Sequence, residues 1–124
     1  MIDLKQQELY DWQKHNFPTD HLFLLSKEEL VNIILILQVT LGMNEEAGEV
    51  AHAVLKGTQG IRGGVNGIDA NLVSDGVGDN LIFGQQLLSL LKRDSEKEVA
   101  KVIDSVLKRN WVDNRVNGEI EVDG

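Results

Sequence analysis

Apolar residues recur along this chain at helical spacing, in stretches separated by segments rich in glycine, proline and small polar residues. Over residues 4–16, Leu4, Leu9, Tyr10 and Trp12 sit among Lys, Gln and Glu. This predicts a short amphipathic helix stopped by Phe17-Pro18, because proline disfavours helical backbone in the residue before it. After a loop through Thr19 and His21, Ser26 and Glu29 have the spacing of a capping box, in which each side chain satisfies the other's free amide, so a second helix begins there. Nothing breaks the pattern from 27 to 56. Gly42 and Gly48 only weaken it, so this is either one very long helix or two joined near Thr40 to Gly42, and a continuous or kinked helix is favoured. Five glycines within residues 57–67 then cost too much backbone entropy for a helix and mark a flexible surface loop. A third helix is predicted over about 70–92, with Val77, Leu81 and Leu88 on one side. A fourth opens on a second capping-box pair, Ser95 and Glu98, and ends near Arg109. The tail from about 110 to Gly124 is polar with isolated Val and Ile, which predicts an irregular segment or one docked on a partner subunit.

At 124 residues the chain has the size of a single domain, 1–124. With 42% hydrophobic residues, 5% aromatics and one proline, it suits a core of Leu, Ile, Val and Ala, so the expected class is all-α, a bundle of about four helices. The run Ile33-Ile34-Leu35-Ile36-Leu37 is apolar all round its helix, more than one neighbour in a small bundle covers. The bundle is therefore expected to be completed by oligomerisation, as a homodimer or homotetramer. The surrounding stretch 30–41 is interrupted by Asn32, Gln38 and Thr40 and is shorter than the roughly 20 residues that span a bilayer, so it reads as a buried helix with no membrane role.

The formal charge of -8, from 20 acidic and 12 basic residues, repels a phosphate backbone and argues against nucleic-acid polymers as partners. A nucleotide is still compatible where carboxylates gather a divalent cation, since the cation inverts the local sign. The absence of cysteine excludes disulfides and thiolate metal sites, and the N-terminus lacks a basic-then-apolar secretion pattern, so a cytoplasmic setting is expected.

Two helices carry carboxylate pairs. Glu46 and Glu49, three residues apart, project side by side next to the apolar face of Ala47, Val50, Ala51 and Val54, with Glu45 just beyond Glu49. On the third helix Asp75 and Asp79 share a face with Asn71, Ile82 and Gln86, opposite Val77 and Leu81. If these helices pack antiparallel through the glycine loop, the carboxylates converge in a cluster whose repulsion requires a cation. Hard oxygen donors without Cys suit magnesium, which takes a few carboxylates, waters and substrate phosphates, and so point to phosphate-ester or phosphoanhydride chemistry. The plainer reading of Glu45, Glu46 and Glu49 is a solvated helical face.

The segment Asn44-Glu45-Glu46-Ala47-Gly48-Glu49-Val50-Ala51-His52-Ala53 resembles the E-E-x-G-E segment of the MazG-like nucleoside triphosphate pyrophosphohydrolases. Lys56 with Gln59-Gly60-Ile61-Arg62 resembles the stretch that follows it in one subgroup, and Asp75-Gly76-Val77-Gly78-Asp79 resembles that subgroup's D-x-x-G-D version of the second acidic segment. Trp12 and Asn16-Phe17-Pro18 also look familial. The resemblance covers roughly residues 4–92 and implies an all-α, oligomeric, magnesium-dependent enzyme that splits a nucleoside triphosphate into monophosphate and pyrophosphate in nucleotide-pool house-cleaning. It implies Glu46, Glu49 and Asp79 as catalytic magnesium ligands, Asp75 as the fourth, and Glu45 as a residue that orients the attacking water.

One departure bears on activity. The commoner family pattern is E-x-x-D, and the position three before Asp79 is Gly76, so Asp75 must supply the missing carboxylate. The alternative is a catalytically decayed scaffold acting as an interaction protein. Lys56 and Arg62 are candidates for clamping phosphates. Trp12 either stacks on a base or, as is commoner for such an aromatic, joins the core. His52 is expected to be exposed and Phe83 to pack. The glycine loop is no P-loop, because it lacks the Gly-Lys-Ser/Thr ending.

Overall fold

The computed structural model describes residues 5–119 of the chain. Among them it is all-helical: α1 (Gln6–Asn16), a 3₁₀ helix (Asp20–Leu24), α2 (Lys27–Gln59), α3 (Ala70–Leu90) and α4 (Ser95–Leu107). The predicted start of the first helix, Leu4, lies outside the described residues, as does the end of the tail. The long second helix is continuous for 33 residues. The chain groups into two compact units that divide between Gln38 and Val39, within α2.

In the first unit the aromatic ring of Trp12 meets Phe17 edge to face, with centroids 5.7 Å apart, and the Asn16 amide donates to the Trp12 carbonyl. The Ser26 hydroxyl accepts from the Glu29 amide at 3.1 Å, the expected cap. The apolar run departs from expectation. Ile34 is 51% and Leu37 55% exposed, so this stretch is not a buried helix within the chain. A surface apolar on every side needs more neighbours than the polar α1 provides. By length and composition α2 is also the one helix among the described residues long and apolar enough to cross a membrane.

In the second unit, α2 from Val39 onward and α3 run antiparallel. A β-carbon at Gly42 would lie 2.9 Å from the Phe83 ring, and one at Gly76 would lie 2.6 Å from Val50 Cγ2. Phe83 packs, as expected. The glycine-rich connection is fitted closely to the end of α2. Gly60, at φ 66, ends the helix and donates to the Lys56 carbonyl at 2.9 Å. A β-carbon on Gly64 would fall 2.5 Å from that same carbonyl group, and one on Gly57 would fall 2.6 Å from Ile68 Cα, so these glycines serve close backbone approach as well as chain flexibility.

Asp69 opens α3 by accepting from the Asn71 and Leu72 amides. The cap of α4 lies one residue earlier than the Ser95–Glu98 pair predicts: Asp94 accepts from the Lys97 amide at 3.1 Å. Between α3 and α4, Val77, Leu81, Leu88, Val99 and Ile103 line a groove of about 790 Å³ that Met43 also borders. The described part of the tail, 110–119, has no regular element, as expected, and is a succession of turns. The Asn110 side chain accepts from the amides of Val112 and Asp113, and that of Asn114 from the amides of Val116 and Asn117. The Asn110 amide then donates to the Gly118 carbonyl, where the Trp111 ring lies against the glycine.

Candidate metal centre

The antiparallel seam between α2 and α3 places the two carboxylate pairs on one pocket of about 300 Å³. Glu46 and Glu49 enter from α2, Asp75 and Asp79 from α3, and Ala53, Leu72 and Gly76 complete the wall. Helical periodicity explains the convergence: residues three or four apart share a face, and the antiparallel register brings the acidic turn of α2 opposite the acidic turn of α3. Ala53 is the one buried apolar residue of the described core and lies at this seam.

Electrostatics mark Glu46 as the focus. Its carboxyl is pushed above its ordinary value of 4.5, most of all by the covering of the carboxyl group. The charges of Glu49, Asp79 and Glu45 act in the same direction. Glu46 Oε2 is buried and has no hydrogen-bond partner. A covered carboxylate oxygen facing like charges is costly, and either a proton or a cation relieves it.

Among the described residues, no three His, Asp or Glu side chains stand close enough together to form a ready-made ligand set. Glu49, Asp75 and Asp79 are exposed, and like charges on exposed side chains keep apart. The donor set still fits magnesium. All four groups are hard oxygens, and the ion usually takes only one or two carboxylates and completes its octahedron with waters and phosphates.

Of the remaining predicted residues, Lys56 lines the pocket about two turns beyond Glu49 on α2. Glu45 does not line it and reaches Glu46 only through its charge. Arg62 lies in the connection after α2, at a left-handed φ of 51, and does not line the pocket either. Trp12 belongs to the first unit, packs on Phe17 and is 56% exposed.

His52 is exposed, as expected, and it also lines the pocket, which sequence reasoning did not foresee. The signal was present: Glu49, His52 and Lys56 are spaced three and four apart and form one stripe along α2. The role of Gly76 was also missed. This residue is buried, and a β-carbon there would lie 2.6 Å from the Val50 methyl, so any side chain at position 76 must displace Val50 or shift the helix. Its glycine is explained by helix packing.

No family model, curated protein or solved structure matches this chain.

Proposed function

We propose that this chain is a magnesium-dependent pyrophosphohydrolase that converts a ribo- or deoxyribonucleoside triphosphate to its monophosphate and pyrophosphate. The observation that carries this reading is the meeting of Glu46, Glu49, Asp75 and Asp79 on one pocket beside Lys56. The resemblance of residues 44–62 and 75–79 to the MazG-like enzymes supports it.

Bound in the pocket, magnesium supplies positive charge to the phosphate oxygens and acidifies water. The chain's residues supply the rest. Glu46 and Glu49 would hold the cation from α2, and Asp79 and Asp75 would face it from α3. Lys56 gives a mobile positive charge to the outer phosphates. Water attacks the α-phosphorus, the bond from that phosphorus to the bridging oxygen of the β-phosphate breaks, and pyrophosphate leaves. The proton released by the water passes to bulk solvent, because a carboxylate that holds the cation has its proton affinity lowered by it. No serine or cysteine nucleophile is needed.

The working form is proposed to be a homo-oligomer in the cytoplasm. Leu81 is 65% and Ile103 51% exposed along the α3–α4 groove, where a second copy supplies the missing cover.

A second reading, a helical interaction protein without catalysis, draws on the same apolar groove and on the absence of a ready-made ligand set among the described residues. Thermal melts with magnesium, with nucleotide and with both separate the two. The enzyme gains stability from the pair and releases pyrophosphate, and the scaffold does neither.

A further inference from the structure

The chain contains two Asn-Gly pairs, Asn66-Gly67 in the connection between α2 and α3 and Asn117-Gly118 in the tail. Such a pair carries its own chemistry. Glycine has no β-carbon to shield its amide nitrogen and its backbone turns freely, so that nitrogen can reach the carboxamide carbon of the asparagine before it. What decides the outcome is how firmly the fold holds the carboxamide and the amide.

At Asn117 both are held. The side-chain oxygen accepts from the Asn114 carboxamide at 2.8 Å and from the Glu119 amide at 2.9 Å. Gly118 donates its amide to the Asn114 carbonyl, its own carbonyl accepts from the Asn110 amide at 2.8 Å, and the Trp111 ring lies against it. Asn66 is exposed, and its side chain has no hydrogen-bond partner among the described residues. A single bond restrains the attacking nitrogen, from the Gly67 amide to the Gly64 carbonyl at 3.0 Å, in an exposed turn of the kind that opens at little cost. We infer that Asn66 is a site of spontaneous deamidation in the folded protein, and that the fold protects Asn117.

The Gly67 amide gives up its proton to solvent base and its nitrogen bonds to the Asn66 side-chain carbonyl carbon. The bond from that carbon to the side-chain nitrogen breaks, ammonia leaves, and a cyclic succinimide forms. Water then opens the ring. Attack at the side-chain carbonyl gives aspartate, and attack at the main-chain carbonyl gives isoaspartate, whose backbone runs through the former side-chain methylene. One water is consumed for each ammonia released, with no oxidant, metal or nucleotide involved. The isoaspartyl product also lengthens the main chain between two close contacts with the end of α2. Gly64 is buried, with its β-carbon position 2.5 Å from the Lys56 carbonyl, and Ile68 Cα lies 2.6 Å from the β-carbon position of Gly57. A connection fitted on both sides of Asn66 has no slack for an added atom, so isoaspartate there loosens it from α2.

The test ages the wild type in mildly alkaline buffer, folded and in denaturant, and follows both pairs by peptide mass mapping, with electron-transfer fragmentation to separate aspartate from isoaspartate. In the folded protein Asn66 is expected to convert on the order of tenfold faster than Asn117 or more, as the two hydrogen bonds to the Asn117 carboxamide imply, and in denaturant the two are expected to convert at similar rates. The aged folded protein is expected to melt lower than the fresh one. Asn66→Asp carries the new charge without the added main-chain atom and is expected to melt as the fresh wild type does. Equal rates at the two pairs in the folded protein, or an Asn66 that stays intact where the denatured chain converts, overturns the site. A protein converted at Asn66 that melts unchanged, or an Asn66→Asp variant that melts as low as the aged wild type, overturns the loosening.

Discussion

Glu46 and Asp79 come from different helices, yet the charge of Asp79 helps to raise the proton affinity of Glu46, after the covering of the Glu46 carboxyl and the charge of Glu49. This pairing sets a pH dependence. A carboxyl whose pKa is higher in the folded protein binds its proton more tightly there, so folding is favoured at low pH. Stability is then lost as pH rises from about 4.5 through the raised folded value. In chelator, the melting temperature is expected to fall over that interval, and Glu46→Gln should flatten the fall. A Glu46→Gln profile that parallels the wild type would show that the repulsion lies elsewhere.

Glu49→Gln keeps the size of the side chain and removes its charge. It is expected to abolish magnesium-dependent pyrophosphate release and to leave the magnesium-free protein as stable as the wild type or more so, because a repulsion beside Glu46 is relieved. Retained turnover with normal magnesium dependence would remove Glu49 from the site. A large loss of magnesium-free stability would indicate a structural role instead.

Position 76 gives a prediction opposite to the one suggested by the commoner E-x-x-D pattern. If the glycine were a lost ligand, Gly76→Glu would raise activity. The Val50 methyl closes that route, so the variant is expected to melt lower, by the roughly 1–3 kcal/mol typical of overpacking, and to release less pyrophosphate. Asp75→Asn, at an exposed position, should keep stability within about 0.5 kcal/mol and still weaken magnesium binding strongly. Gly76→Glu with activity well above wild type, or Asp75→Asn with unchanged kinetics, would favour the reading in which Gly76 stands where a ligand was lost.

The lengths of the helices were legible because periodicity and punctuation agreed. Phe17-Pro18 stops α1 and Ser26 caps α2, whereas α2 runs on through Gly57 and ends at Gly60 rather than at Lys56. The carboxylate pairs were legible for the same reason, since spacings of three and four carry a helical face into space without knowledge of the fold. Contacts between helices were less legible. Nothing in the local sequence distinguishes Gly76, buried against Val50, from Gly48, which has nothing near it. The stabilising role of Asn110 and Asn114 in the tail was hidden because each side chain bonds amides two and three residues ahead, a local pattern without hydrophobic period. The apolar run at 33–37 shows the opposite limit: its pattern announces burial, yet Ile34 is 51% and Leu37 55% exposed.

The α3–α4 groove provides a test of assembly that spares the fold. Because Leu81 and Ile103 are more than half exposed in the single chain, Leu81→Lys or Ile103→Lys should cost a monomer at most about 0.5 kcal/mol. In sedimentation the wild type is expected as a dimer or larger species at micromolar concentration, with the lysine variants shifted toward monomer and still helical. A wild type that sediments as a monomer contradicts the oligomer.

The most direct test of the central claim is product analysis of the wild-type protein with a panel of ribo- and deoxyribonucleoside triphosphates, at matched concentrations with and without magnesium. The account predicts equimolar monophosphate and pyrophosphate from at least one nucleotide, dependent on magnesium and lost in Glu49→Gln. Release of inorganic phosphate with nucleoside diphosphate, or no turnover of any nucleotide by a folded protein, would contradict it.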